Sequence, residues 1–192
     1  SSTGCTIEGM KQKPVCILGE TSGVRICQNQ FINNHAGGIY LVGEVKNGLI
    51  EDNKITDNKG TSNWMAGIVL TNAVPKDKKN LWETFDEEHH FPHKENLYAQ
   101  ISCPHDLLIR DNYVCGNQAS GIYSDGAYSC YVLNNTVRQN DKEGICLDYG
   151  TIGFYLKENV FGENGQRNRQ TDQDLEMDFV LGAGRMEDGS AK

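Results

Sequence analysis

The sequence lacks long apolar runs and an excess of basic residues. Nothing in its 192 residues approaches the run of about eighteen apolar residues that a membrane-spanning helix needs, so no membrane span is predicted. With 18 basic residues against 26 acidic ones, the net charge is −8. This balance excludes nucleic acid as a general partner, because phosphate binding needs a basic face. A polyanionic ligand would need a local basic patch or a bridging cation.

Paired cysteine motifs are also missing. The seven cysteines form no CxxC pair and show no metal-ligand spacing. Most of them fall in segments with strand periodicity, where cysteine serves as a small core residue. We therefore predict that most are free thiols, which favours a reducing or anaerobic setting.

What the sequence does contain is a repeated phrase of the form Asn-x-apolar-x-x-Asn. It occurs five times, as NQFINN (29–34), NKITDN (53–58), NYVCGN (112–117), NTVRQN (135–140) and NVFGEN (159–164). The leading asparagines follow one another at intervals of 24, 59, 23 and 24 residues. The long interval equals one period of 24 plus 35 additional residues. A fixed period of this kind marks a repeat architecture.

Two further phrases accompany each repeat. A Gly-Ile dipeptide follows four of the five phrases, at Gly38, Gly67, Gly121 and Gly144. An apolar residue stands three positions before each leading asparagine, at Ile26, Ile50, Ile109, Val132 and Leu156. Projection back by one period places Ile7 and Val15 in the core of a partial first coil. Three short alternating strands per period, separated by Asn and Gly bends that can require a positive φ, predict an all-β fold. The expected architecture is a single-stranded parallel β-helix of about six coils of 23–24 residues with one long insertion.

The phrase Asn-x-Ile-x-x-Asn-x-x-x-Gly-Ile-x-Leu, which covers residues 24–164 apart from the insertion, resembles the right-handed parallel β-helix proteins. That group contains pectate lyases, polygalacturonases, mannuronan epimerases, and carbohydrate-binding and sugar-hydrolase repeat domains. The resemblance implies a right-handed coil, a polysaccharide or glycan partner, and an extracellular or cell-surface location. We expect a single domain over 1–192, with coils over about 5–164, an insertion at 71–106 and a non-repeat segment at 165–192. The incomplete first coil and the missing N-terminal cap lead us to expect a piece of a longer β-helix.

The ten repeated asparagines are predicted to be structural. Aligned amides in stacked strands hydrogen-bond to one another along the stack, so these columns do not indicate a ligand site. The columns of Ile, Val, Phe and Leu are likewise predicted to be core. These two interpretations remove most of the repeat from the search for function.

The insertion carries most of the histidines. His89, His90 and His93 lie within it, and His105 lies close to its end. Long loops in compact domains are usually functional or disordered. The run from Asp86 to His90 could bind a metal, although a solvated acidic surface explains the same residues and no ligand spacing is clear. No metal site is therefore assigned.

Alignment of the coils brings acidic residues together. Asp125 and Asp148 each stand thirteen residues after a leading asparagine. Thr71 occupies the equivalent position one coil earlier when the coils are aligned on Gly67-Ile68-Val69-Leu70. Adjacent parallel strands lie about 4.8 Å apart, so these positions should be neighbours. The insertion departs at Thr71 and returns through Cys103-Pro104-His105-Asp106. The sequence thus predicts a site at one bend, with Asp125 and Asp148 as an acidic pair. The competing interpretation is that both aspartates are ordinary turn residues, since Asp125 precedes a glycine.

Three roles complete the candidate site. Cys103-Pro104-His105-Asp106 resembles the Asp-Pro-His-Glu tetrapeptide of mannuronan epimerases, which implies proton transfer by His105; the first Asp is replaced by Cys here. Tyr123 and Asp106 are candidates for substrate binding. Arg110 is a further candidate, and it shares its register, two before the leading asparagine, with Lys157 and Glu51. Isolated surface charges are the competing interpretation for these three.

Three hypotheses of function follow from these residues. The first is a carbohydrate-active protein, a glycoside hydrolase, lyase or epimerase that acts on a polysaccharide. Paired carboxylates separate in pKa and so can serve as acid and base, or they could hold a Ca²⁺ ion against a uronic acid, calcium being the one candidate cofactor. The second is a non-catalytic module that binds glycan or protein, which the absence of a complete catalytic motif favours. The third is a structural spacer. The substrate and the oligomeric state are left open by the sequence.

Overall fold

The computed structural model of the protein describes residues 1–72, 103–148, 151–165 and 179–181. Its strands form three parallel sheets of six strands each. The first sheet contains Ser2–Thr3, Arg25–Cys27, Leu49–Glu51, Leu108–Arg110, Tyr131–Leu133 and Tyr155–Lys157. The second contains Thr6–Glu8, Gln30–Ile32, Lys54–Thr56, Tyr113–Cys115, Thr136–Arg138 and Val160–Gly162. The third contains Val15–Leu18, Ile39–Val42, Ile68–Thr71, Ile122–Asp125, Ile145–Asp148 and Phe179–Leu181.

The chain visits the three sheets in turn, and each visit to all three forms one coil. Thr21–Ser22 and Val45–Lys46 add a short two-stranded sheet after the third sheet, and a 3-10 turn spans Asn63–Met65. The predicted all-β, parallel coiled architecture is confirmed. Among the described residues, no helix is long and apolar enough to cross a membrane.

The register between coils follows the sequence repeat. Residues that share a place in the phrase pair across the first sheet, as Ile50 does with Ile26 and Ile109. Ile109 pairs with Ile50 although 59 residues separate them, so the additional residues lie outside the ladder and leave the register unchanged. Beyond the repeat, Phe179–Leu181 pairs with the strand that begins at Ile145 and extends the third sheet.

The core runs through the middle of the coils. In the inner coils its columns consist of apolar residues at the centre of the first-sheet and second-sheet strands and at alternate positions of the third sheet. These are all at most 2% exposed: Ile26, Ile50, Ile109, Val132, Phe31, Ile55, Val114, Val137, Ile39, Leu41, Ile68, Leu70, Ile122, Ile145 and Leu147. Towards the ends of the coiled stack the same columns continue with partly buried residues that pack against this core: Ile7, Val15, Ile17, Leu156 and Phe161. Burial of each such side chain contributes about 1.5–3 kcal/mol. The predicted assignment of these columns to the core is confirmed.

Two ladders of asparagine amides link the coils. In one, the Nδ2 group of Asn53 donates to Oδ1 of Asn112 at 2.9 Å, and Asn112 does the same to Asn135. In the other, Asn58 donates to Asn117 and Asn117 to Asn140, both at 2.8 Å. The structural role predicted for the asparagines is therefore confirmed.

Each amide also binds the main chain. Oδ1 of Asn117 accepts from the backbone N–H of Asn58 at 3.2 Å, and Nδ2 of Asn117 donates to the carbonyl of Ile55 at 3.2 Å. The asparagine therefore satisfies backbone groups at the bends that have no partner in the strand ladder. This is why an amide, with both donor and acceptor atoms, recurs at these positions.

The positive φ angles at these bends belong to the residue before each asparagine. They are found at Gln28, Asn33, Asp52, Asp57, Asp111, Gly116, Asn134, Gln139, Glu158 and Glu163. The prediction that Asn and Gly supply bends of positive φ is therefore confirmed at Asn33, Asn134 and Gly116, but the repeated asparagines themselves and Gly67 do not take this conformation. At Gly67 the constraint is space, because a Cβ atom there would lie 2.7 Å from the carbonyl oxygen of Gly121.

All seven cysteines lie in the described residues and all are free, which confirms the prediction. Cys103, Cys130 and Cys146 are buried. Burial raises the pKa of the Cys130 thiol to about 12, so this group stays neutral and behaves as a small apolar side chain.

We predict that Asn117→Ala lowers the free energy of unfolding by about 2–4 kcal/mol, because it removes the buried hydrogen bonds that the Asn117 amide makes to Asn58, Asn140 and Ile55 and leaves the backbone N–H of Asn58 without its acceptor. Urea denaturation followed by circular dichroism measures the change. Gln30→Ala, on the exposed side of the same sheet, is the control and should change stability little. Equal midpoints for the two variants would contradict a stabilising role for the ladder.

Candidate functional site

The predicted neighbours Thr71, Asp125 and Asp148 lie side by side in the third sheet. Thr71 pairs with Asp125, and Asp125 pairs with Asp148, each at the last position of its strand. Asp125 is half-buried, and the side chain of Asp148 lies outside the described part of the chain. The alignment of coils therefore gave the correct column, and adjacent strands place its members about 4.8 Å apart at the backbone.

A polar contact in the core fixes the backbone at Asp125. The Ser124 side chain points inward and is fully buried, and its hydroxyl lies 3.0 Å from the hydroxyl of Thr151. Thr151 also donates to the carbonyl of Ser124 at 3.2 Å and accepts from the N–H of Gly126 at 3.3 Å. Residues on both sides of Asp125 are thus bonded to one hydroxyl of the next coil.

The chain re-enters the coil through Cys103-Pro104-His105, the segment predicted to close the insertion. The N–H of His105 donates to the carbonyl of Val45 at 2.9 Å, and the N–H of Tyr128 donates to that of Pro104 at 3.1 Å. Single bridges place Lys46, His105, Tyr128 and Ile152 at the same position on successive coils. We call this row the fourth ladder. His105 is therefore part of the coil and has a fixed backbone.

The ring of His105 is held from two directions. Its centroid lies 4.6 Å from that of Tyr128 with only 9° between the planes, so the two rings are stacked. Its Nδ1 atom lies 2.8 Å from Oδ2 of Asp106. When the Asp106 carboxylate is ionised it can only accept, so Nδ1 is then the donor in this contact and Nε2 is left for a second partner. The side chain of His105 is 12% exposed and that of Asp106 is 54% exposed.

Asp106 has a backbone role as well. Its φ of 52° places it in the left-handed region, as are Asn47 and Ser129 at the corresponding bends. Aspartate tolerates this conformation better than most residues. Asp106 therefore both forms the bend and holds the imidazole.

An ion pair adjoins the histidine. Lys46 and Glu44 are in contact through Nζ and Oε1, and this hydrogen bond and charge hold the pKa of Glu44 below its ordinary value; His105 contributes in the same direction. The same contact raises the pKa of Lys46. Both groups are therefore ionised at neutral pH, and Lys46 is the neighbour of His105 in the fourth ladder.

The phenol of Tyr128 is a neutral neighbour. Burial raises its pKa above the ordinary value, and the negative charge of Asp106 adds to the increase. The hydroxyl therefore keeps its proton at neutral pH and can donate it. Tyr128 lies three residues after Asp125 on the same coil, which connects the fourth ladder with the column of Thr71, Asp125 and Asp148.

Cys103 is close enough to Asp125 and to Tyr128 to interact electrostatically with both. Burial raises the pKa of its thiol to about 12, and the charge of Asp125 adds to the increase. The thiol is therefore neutral and unsuited to act as a nucleophile. Its sulfur would be 3.2 Å from a Cβ atom at Gly126, where φ is +87°, so the close contact and the backbone both favour glycine there.

The other predicted residues lie elsewhere. Tyr123 is 4% exposed on the outer side of the third sheet, where it packs in a cluster with Tyr40, Val69 and Cys146. Arg110 lies on the first sheet, so Asp125 and Arg110 belong to different sheets. Its side chain pairs with Glu51 and, at 3.6 Å, with Asp111. The run from Asp86 to His90 lies outside the described residues.

The sequence did not indicate Tyr128, Lys46 or Glu44. The number of residues between the end of the third-sheet strand and the fourth ladder differs between coils. Lys46 stands four residues after Val42, whereas Tyr128 stands three residues after Asp125. This variation hides the ladder from a search with a fixed period. An aromatic residue shortly after Asp125-Gly126 was the one available signal.

We predict that Thr71→Val leaves stability unchanged or raises it by up to about 1 kcal/mol. Within the described residues, Oγ1 of Thr71 is a fully buried side-chain atom without a hydrogen-bond partner, so its removal loses no bond. Ser124→Ala is the matched control and should lose about 1–2 kcal/mol because its hydroxyl is bonded. Thermal unfolding measures both. A loss for Thr71→Val as large as that for Ser124→Ala would show that the Thr71 hydroxyl has a partner.

Comparison with known proteins identifies the family. No curated protein matches the sequence. A solved structure with similarity is the A-module of mannuronan C-5 epimerase AlgE4 from Azotobacter vinelandii, with 14% identity and a TM-score of 0.40 over 84% of this chain and 54% of that one. The chain thus spans about half the length of that module. The family described as "Right handed beta helix region" matches residues 2–161, which is most of the chain. Together with its all-parallel sheets, this match shows that the chain belongs to the right-handed β-helix family.

Proposed function

We propose that the chain acts on a polysaccharide and that His105 transfers the proton in the reaction. The observation that carries the proposal is the arrangement of His105, with Nδ1 2.8 Å from Asp106 and its ring stacked on Tyr128. An imidazole oriented by a carboxylate is the usual arrangement for general acid–base catalysis. The reaction class that fits is abstraction of a proton from a sugar ring, as in a lyase or an epimerase.

Asp106 would prepare His105 for this role. By accepting from Nδ1 it leaves Nε2 to take the proton, and it stabilises the imidazolium that forms. The imidazole is mostly covered but not sealed, with 12% of its side chain exposed. A sugar bound there would displace water, which strengthens the interaction between the imidazolium and Asp106.

Tyr128 and Lys46 would complete the chemistry. The phenol holds its proton at neutral pH. In an epimerase it would give that proton to the carbanion that His105 has formed, and the resulting tyrosinate would take a proton from solvent while the imidazolium releases one. Lys46 supplies the positive charge that an acidic sugar requires in a chain of net charge −8. Because Lys46 is paired with Glu44, an acidic sugar would take the place of Glu44 at the ammonium group.

A polysaccharide is proposed as the substrate because of the resemblance of the repeat to carbohydrate-active β-helix proteins. The specific support comes from His105, Asp106 and Tyr128.

A second candidate is hydrolysis of a glycosidic bond by Asp125 and Asp148. It is favoured by the direct pairing of these residues on adjacent coils. Carboxylates separated by about 5 Å suit a retaining glycosidase, in which one is the nucleophile and the other the acid. Here the fourth ladder would form a wall of the site.

For the first candidate we predict that His105→Asn lowers kcat by a factor of about 10²–10⁴. His35→Asn, an exposed histidine outside the site, is the control. The purified chain is incubated with alginate, polygalacturonate or xylan in D₂O. Mass spectrometry detects deuterium incorporation, and ultraviolet absorbance detects an unsaturated product. Full activity in His105→Asn, with either readout, would rule out His105 as the proton-transfer residue.

For the second candidate we predict that the double variant Asp125→Asn/Asp148→Asn releases no new reducing ends, while His105→Asn still does so. Asp57→Asn is the control, because this exposed residue has a φ of 58° that asparagine tolerates. Reducing-sugar assay measures the release. Binding of a polymer by the wild type without any turnover would instead support a non-catalytic glycan-binding module.

A further inference from the structure

A second group of polar residues lies at the bend between the second and third sheets. It joins three coils, with Asn63 on one, Ser120 on the next, and Lys142 and Glu143 on the third. Beside it, Trp64 is 45% exposed. None of these residues belongs to the repeat, and none has a role in the chemistry proposed above.

The turn that carries Trp64 is held in place. Ser62 caps it, with Oγ accepting from the N–H of Trp64 at 3.3 Å and its carbonyl accepting from the N–H of Met65 at 2.8 Å. The N–H of Ala66 donates to the carbonyl of Asn63 at 3.1 Å. The exposed indole is therefore presented by a fixed backbone, which reduces the entropy that binding would cost.

The polar side chains are also fixed. Lys142 Nζ donates to Oδ1 of Asn63 at 3.1 Å, and Ser120 Oγ donates to Oε2 of Glu143 at 2.9 Å. Within the described residues, the hydrogen bonds of these side chains leave Nδ2 of Asn63 and Oε1 of Glu143 without a partner. The cluster thus offers an amide donor, a carboxylate acceptor and the remaining ammonium N–H groups, and the residue after Asn63 in the same turn is the exposed Trp64.

We infer that this cluster, Asn63, Trp64, Lys142 and Glu143, is a subsite for one sugar residue of a polysaccharide. An aromatic ring offers an apolar face and, in tryptophan, one N–H donor, which suits the C–H face of a pyranose. Sugar hydroxyls both donate and accept, so they match a carboxylate beside an amide and an ammonium group. Lys142 and Glu143 cancel in charge, so the subsite binds through the hydroxyls of the sugar and does not depend on a carboxylate.

The subsite lies at some distance from His105. Trp64 comes just before the strand Ile68–Thr71, whose far end carries the column with Asp125. Four residues of strand extend about 13 Å. A single sugar cannot reach both places, but a polymer can. The inference rests on the proposed function for the nature of the ligand. It assigns to this cluster the binding of a distant sugar unit of the same polysaccharide.

Exposed aromatic rings elsewhere provide a matched control. Tyr131 and Tyr155 are each 52% exposed in adjacent strands of the first sheet, with ring centroids 5.9 Å apart. Both lie on the first sheet, whereas the cluster of Asn63, Ser120, Lys142 and Glu143 lies at the bend between the second and third sheets. Tyr131→Ala therefore removes an exposed ring of similar accessibility outside the subsite.

The test follows the fluorescence of Trp64. The chain has two tryptophans, so Trp82→Phe leaves Trp64 as the single indole reporter. This variant is titrated with alginate, polygalacturonate and soluble xylan, and binding is scored independently by affinity electrophoresis in gels that contain each polymer. A bound polymer should shift the emission to shorter wavelength and protect it from acrylamide quenching. Trp64→Ala should weaken retention in the gel about tenfold, and Tyr131→Ala should not.

Two results would overturn the subsite: retention of a polymer with unchanged Trp64 emission, or equal retention of Trp64→Ala and wild type. Absence of retention on all three polymers also counts against it.

Failure of the proposed function gives a different pattern. If His105→Asn retains full turnover while Trp64→Ala raises KM for the polymer at unchanged kcat, the subsite stands and the role of His105 falls. If Trp64→Ala leaves KM unchanged while His105→Asn loses kcat, the reverse holds.

Discussion

The rest of the structure depends on the hydrogen bonds that the asparagine amides make between coils. Each amide binds the amide of the next coil and also satisfies main-chain groups where the strands end, as Asn117 does for Asn58 and Ile55. Without these bonds every bend would bury unpaired backbone groups. The residue before each asparagine adopts a positive φ, which costs about 1–2 kcal/mol for most residue types. The amide ladder offsets that cost, and the bends keep the same geometry from coil to coil.

A fixed bend geometry keeps the register constant, and a constant register permits insertions. Ile50 pairs with Ile109 in the same register as Ile26 pairs with Ile50, although 59 residues separate Ile50 from Ile109 in sequence. Each coil is held by its neighbours along its whole length, so extra residues at one bend do not disturb the others. The bend after the third sheet tolerates such variation, and the residues with candidate chemistry lie there. The scaffold thus separates the residues that hold the coils from those free to diverge.

The candidate site draws its chemistry from local departures from the repeat. Ser124 replaces an apolar residue in the inner row of the third sheet, and its bond to Thr151 fixes the backbone beside Asp125. His105 and Tyr128 stack because they occupy the same position on adjacent coils. Asp106 reaches Nδ1 because its left-handed backbone turns the chain at that residue. The proposed sugar subsite at Trp64 likewise uses residues that no repeat position requires.

The sequence by itself determined the coils, their register, the core columns and the neighbours Asp125 and Asp148, because a fixed period in sequence becomes a fixed stacking distance in space. It also indicated His105. Only the tertiary structure decided that Tyr128 and Lys46 flank His105, because the bends before them differ in length and hide the alignment. It also placed the positive φ before each asparagine, and it brought Asn63, Ser120 and Glu143 together from three coils. Contacts of that kind depend on the path of each loop, which the period does not specify.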